Sequence, residues 1–112
     1  MNSNKTFRSV EDVSTFLETN SAVLFYFSTN SCSVGEALEP KVINLIATKF
    51  PKIQHISIDL NSDAAIAAHF SAFVEPTILV FFEGKETIRR SRNISVFELE
   101  DAIKRPYQLI FE

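Results

Sequence analysis

Cys32 is the one side chain in this sequence that could act as a strong nucleophile near neutral pH, and the chain has no second cysteine. It stands in Ser31-Cys32-Ser33-Val34-Gly35, after the polar stretch from Ser28 and at the start of a long helical pattern. A thiol at a helix N-terminus faces unpaired N–H groups and the positive end of the helix dipole. Both favour the thiolate, the form that attacks disulfides. By residue type alone a single cysteine is most often a small buried hydrophobe, so its helix-opening position is what carries the reading. His55 and His69 fall on a predicted strand and a predicted helix without a further ligand at metal spacing. They are read as structural or solvated, and no metal site is expected.

The elements that position Cys32 follow from periodicity. Val10, Val13, Phe16 and Leu17 make one apolar helix face, opened by Ser9 as cap, after a short strand at Thr6-Phe7-Arg8. Ala22 to Phe27 is an uninterrupted apolar run, which implies a central strand buried on both faces. The helix beginning near Cys32 runs to Phe50, and Pro40 inside it predicts a kink. A strand over Lys52–Leu60 and a helix over Asn61–Phe70, capped by Asn61 or Ser62, come next. Thr77–Phe82 is a second fully apolar strand, joined through Glu83-Gly84-Lys85 to Glu86–Ser91 as a hairpin. Lys85, Arg89, Arg90 and Arg92 then read as a solvated sheet edge. Ser95-Val96-Phe97-Glu98 opens a last helix expected to stop before Pro106, and the apolar tail Pro106–Phe111 is expected to dock on the core. Helical crossovers demand parallel pairing early and the tight turn demands antiparallel pairing late. The class is therefore α/β, a mixed central β-sheet with helices on both faces, in one domain over residues 1–112.

Composition narrows the partners. With a formal charge of −3 the chain has no positive excess to neutralise a phosphate backbone, so nucleic acid is not expected. The longest apolar runs fall far short of the ~20 residues a spanning helix needs, so no membrane is expected. One cysteine and a polar Met1–Phe7 point to a reducing, cytoplasmic setting.

With Cys32 opening a helix, Pro40 about two turns later and Val74-Glu75-Pro76-Thr77 before the hairpin, the chain resembles the thioredoxin family from about Phe7 to Arg105. The resemblance implies the thioredoxin fold, with Pro76 in the family's cis-proline loop and Cys32 at the first position of its C-x-x-C. Here that motif is degenerate: Gly35 stands where the second cysteine would be, Ser31 where a tryptophan is common, and Tyr26 where many members carry a buried Asp that assists proton transfer to the resolving cysteine.

The resemblance further implies a thiol-disulfide redox protein. Cys32 would form a mixed disulfide, and its release would need an external thiol, with glutathione as co-substrate and no other cofactor. Pro76 would shape a groove, the backbone of Glu75 would pair with an extended segment of a disulfide-bearing protein, and Val34, Gly35, Phe73 and Val74 would complete the contact surface. The Glu75 carboxylate would oppose the thiolate. At ~7 Å and an effective dielectric of 20 to 80 that repulsion is roughly 0.6–2.4 kcal/mol, the same size as the ~0.3–2 kcal/mol from the helix dipole. The competing function is a non-catalytic protein-binding or chaperone-like module that keeps the groove and has lost turnover. Oligomeric state is not encoded in any of these features.

Overall fold

The apolar run from Ala22 lies in the middle of the sheet, and its alternation divides the core in two. The computed structural model describes residues 2–3, 7–29 and 33–112, with the backbone alone at 2–3 and 33–37. The elements are β1 (Asn2–Ser3), α1 (Val10–Thr19), β2 (Ala22–Ser28), α2 (Ser33–Lys49), β3 (Gln54–Asp59), α3 (Ala64–His69), β4 (Thr77–Phe82), β5 (Lys85–Ser91) and α4 (Val96–Phe111). The five strands take the order β1-β3-β2-β4-β5. β1, β3 and β2 run parallel, while β4 is antiparallel to both β2 and β5.

Successive side chains of β2 point to opposite faces. Leu24 and Tyr26 join Val42, Leu45 and Ile46 of α2 and Leu99 and Ile103 of α4 on one side. Val23, Phe25 and Phe27 join Val13 and Leu17 of α1 and Ile66 of α3 on the other. The mixed sheet with helices on both faces is thus the expected α/β architecture. The hairpin turn uses Glu83 (φ 54°) and Gly84 (φ 78°), two successive left-handed residues that match the strand twist. Ser9 and Ser95 cap α1 and α4 by accepting the N–H groups of Asp12 and Glu98.

Three element boundaries and the role of one residue differ notably from the sequence reading, each for a physical reason. The first strand is Asn2–Ser3, in register with His55 and Ile56, whereas Phe7 lies outside any strand and is buried against Phe16 and Phe25; Thr6 is outside the described residues. α3 begins only at Ala64, because the Asp59 carboxylate accepts the N–H groups of Asn61 and Ser62 and holds them in a turn ahead of the helix. α4 does not stop before Pro106 but continues through it to Phe111. Ile103 and Tyr107 are buried on either side of that proline, and Tyr107 packs edge-on against Phe50 at 5.1 Å while its hydroxyl accepts the Lys52 N–H. This packing offsets the ~3 kcal/mol that an interior proline costs. Finally, Arg89 is more than a solvated edge residue, since its guanidinium donates to the Phe70 carbonyl at 2.6 Å and closes the end of α3.

Candidate functional site

The site is built where three loops meet at one end of the sheet. The Glu75–Pro76 peptide bond is cis, and Pro76 is buried, held by the Arg92 N–H donating to its carbonyl at 3.0 Å. Thr77, also buried, turns its hydroxyl back to the Val74 carbonyl. The next loop is tied in by Glu75, whose carboxylate accepts both the N–H of Thr29 and its hydroxyl, the latter at 2.9 and 3.1 Å. Leu60 N–H in turn donates to the Ser28 carbonyl at 3.0 Å. The end of β2, from which the chain runs to α2, is therefore clamped to the proline loop on one side and to the end of β3 on the other.

The residues singled out from the sequence fall as follows. Phe73, Val74, Glu75 and Pro76 form one continuous loop, with Phe73 73 % exposed and Val74 half-buried. Val34 and Gly35 belong to the first turn of α2. Cys32 lies outside the described residues, between Thr29 and the start of α2 at Ser33. Tyr26, in the middle of β2, is fully buried and opposite Ser57 and Ile78 in register. His69 is exposed and His55 is buried. Among the described residues no group of three or more His, Cys, Asp or Glu side chains could hold a metal, and no helix is long and apolar enough to cross a membrane.

Two contributions escaped the sequence reading. Thr29 was read only as part of a polar loop, although its clamp on Glu75 holds that carboxylate in place. Removing one partner of such a pair forfeits the hydrogen bonds that join the two loops. Glu75→Ala is therefore expected to lower stability by about 1–3 kcal/mol, with Thr29→Val adding little on top, as read by urea denaturation of both single variants and the double. Full additivity of the two would show that the clamp is not formed.

The second contribution is a polar cluster beneath α2. His55 and Ser57 share a face of β3 with Ile53, and that face is roofed by α2. Glu39 of α2 accepts the Ser57 hydroxyl on Oε2, and the same oxygen lies 3.3 Å from His55 Nε2. Burial raises the Glu39 pKa against the lowering effect of the Ser57 hydrogen bond. It lowers that of His55 to about 4, the positive amino terminus of the chain acting in the same direction. The sequence shows only that polar residues alternate along β3; that this strand is flanked on both sides by other strands, and so buries them, comes from the sheet order.

Comparison with known proteins agrees with this arrangement. No family model matches the chain. It is 30 % identical over 101 residues to thioredoxin-like protein YdfQ of Bacillus subtilis, covering 90 % of this chain and 89 % of that one. Among solved structures, thioredoxin 1 of Thermosipho africanus is 26 % identical and superposes with a TM-score of 0.72 over 80 % of this chain and 99 % of its own. Mitochondrial thioredoxin 3 of Saccharomyces cerevisiae, at 17 % identity, shares the fold with a TM-score of 0.78 over 90 % of this chain and 93 % of its own. With one relative matched at this identity over nearly its whole length, and with a sheet of the same architecture closed by a cis-proline loop, the chain belongs to the thioredoxin family.

Proposed function

We propose that the protein is a monothiol member of this family, a thiol-disulfide redox protein in which Cys32 is the nucleophile and an external thiol completes the cycle. The observation that carries the reading is the clamp between Thr29 and Glu75, which ties the strand end leading to Cys32 to the loop of Pro76. Such a clamp fixes the strand end that leads to Cys32 relative to the proline loop. The Cys32 thiolate attacks the glutathione sulfur of a protein–glutathione mixed disulfide, forming a Cys32–glutathione disulfide, breaking the original S–S bond and expelling the protein thiolate, which takes a proton from solvent. Glutathione thiolate then attacks the Cys32-bound disulfide, leaves as oxidised glutathione, and frees Cys32. Gly35 offers no sulfur for the intramolecular alternative. The exposed ring of Phe73 and the half-buried Val74 supply apolar contact beside the Glu75 backbone, suited to an extended segment of a partner protein. The cycle suits a reducing, cytoplasmic setting with abundant glutathione.

The test is a glutathione-coupled reduction of a small mixed disulfide. Wild type is expected to exceed the uncatalysed rate and Cys32→Ser to fall to it. Equal rates for the two would overturn the monothiol reading. They would favour the binding module, for which the exposed Phe73 and Phe97 rings speak. In that case, affinity for a disulfide-free extended peptide should be the same with and without the Cys32 sulfur.

A further inference from the structure

The polar cluster under α2 has a consequence for the site. Pro40 has no N–H to give the preceding turn, so residues 33–39 are joined to the rest of α2 by one backbone hydrogen bond fewer than an unbroken helix would have. Their seating on the sheet therefore depends more on side chains than that of 41–49, where Val42, Leu45 and Ile46 are buried. Glu39 is the last residue before the proline, and it reaches the sheet through a polar group: its Oε2 accepts from Ser57 and lies 3.3 Å from His55 Nε2. The His55 side chain is only 1 % exposed.

We propose that Glu39 is a positioning residue that seats the pre-proline part of α2 on β3, and that loss of the proton held by the Glu39–His55 pair loosens this segment and the thiol position preceding it. The effect on the thiol position rests on the reading of Cys32 as the nucleophile; the seating of α2 does not.

The physical reason is the cost of burying a net charge. With one added proton the pair carries no net charge and sits in the core at little penalty. Once that proton is lost, an ionised carboxylate remains against a neutral ring, and the side chain, already 20 % exposed, gains by swinging further toward water and so gives up its hold on β3. Among the described residues no lysine or arginine side chain lies within ion-pair distance of Glu39. Tyr26 of β2 faces the pair with its ring 6.3 Å from that of His55. β1 contributes Asn2 and Ser3, which do not titrate, while the amino terminus adds its positive charge on the His55 side. On α2, Lys41 is exposed, and Lys49 is engaged by Glu100 of α4 at 2.9 Å.

Amide hydrogen exchange between about pH 5 and 8 tests this, after correction for the intrinsic pH dependence of exchange. In wild type, opening of residues 34–39 is expected to rise several-fold with pH while 42–49 stay level. In Glu39→Gln, which keeps an acceptor for Ser57 but cannot ionise, the rise should vanish. Ser57→Ala should speed opening of 34–39 across the range, by up to about tenfold where Glu39 is ionised and its bond to Ser57 is charge-assisted. An identical pH response in Glu39→Gln, or equal responses on the two sides of Pro40, would overturn the proposal. Alkylation of Cys32 by iodoacetamide, followed over the same range, should accelerate at lower pH in wild type than in Glu39→Gln. A Cys32 inert in both would sink the nucleophile reading and the effect on the thiol position, while the exchange data decide on Glu39 independently.

Discussion

Phe25→Ala is expected to lower the unfolding free energy by about 3–5 kcal/mol, a large part of the 5–15 kcal/mol typical of single domains. Phe25 is fully buried at the centre of β2, with β3 on one side and β4 on the other. Its ring lies 5.5 Å from Phe81, 5.7 Å from Phe70, 6.1 Å from Phe27 and 6.2 Å from Phe7. Those four rings come from a neighbouring strand, the end of α3, the same strand and the segment before α1. A cavity at their centre cannot be closed by moving one element alone, which is the condition for the upper part of the range. Phe97, 83 % exposed on α4, provides the contrast: its alanine variant should stay within about 0.5 kcal/mol of wild type. Urea denaturation with an unchanged slope would read both. A Phe25→Ala cost below about 1 kcal/mol would mean that the aromatic cluster relaxes around the void.

The same central strand shows what the sequence alone makes legible. The run Ala22–Phe27 announced burial on both faces, and the hairpin turn at Glu83-Gly84-Lys85 was announced by its turn chemistry; periodicity and local backbone rules suffice for such features. The proline loop was legible only through resemblance, since nothing in Val74-Glu75-Pro76 alone distinguishes a cis bond from an ordinary turn. Pro106 misled because a local rule about the residue before proline was set against the burial of Tyr107, and long-range packing prevailed. The clamp from Thr29 to Glu75 and the cluster of Glu39, Ser57 and His55 were illegible for a different reason. Each joins residues far apart in the chain, and each partner has an unremarkable solvated reading on its own. Only the pairing of β2 with β3, and the laying of α2 over them, makes a glutamate before a proline into an anchor.

That cluster also sets how the fold meets acid. Between pH 7 and 4, wild type is expected to lose about 3 kcal/mol more stability than His55→Gln. The folded protein holds His55 neutral down to about pH 4, chiefly because burial penalises the imidazolium, whereas the unfolded chain binds that proton near the ordinary value of 6.5. In this window the unfolded state carries more protons, so falling pH draws the equilibrium toward it; the contribution is present in full above 6.5 and is lost on the way down to 4. Glu39 acts with the opposite sign. Its folded value lies above 4.5, so its contribution is complete at low pH and disappears as pH rises through that folded value. The two groups therefore bracket a pH at which the pair holds one proton and the core beneath α2 is best satisfied. Moving acidward forces a second proton onto a ring with no room for its hydration, and moving alkaline strips the first and leaves the carboxylate unbalanced. Comparing wild type with His55→Gln removes the background of exposed carboxylates, which titrate alike in both. Parallel stability curves for the two proteins would show that the His55 ring reaches solvent and protonates in the folded state as freely as in the unfolded one.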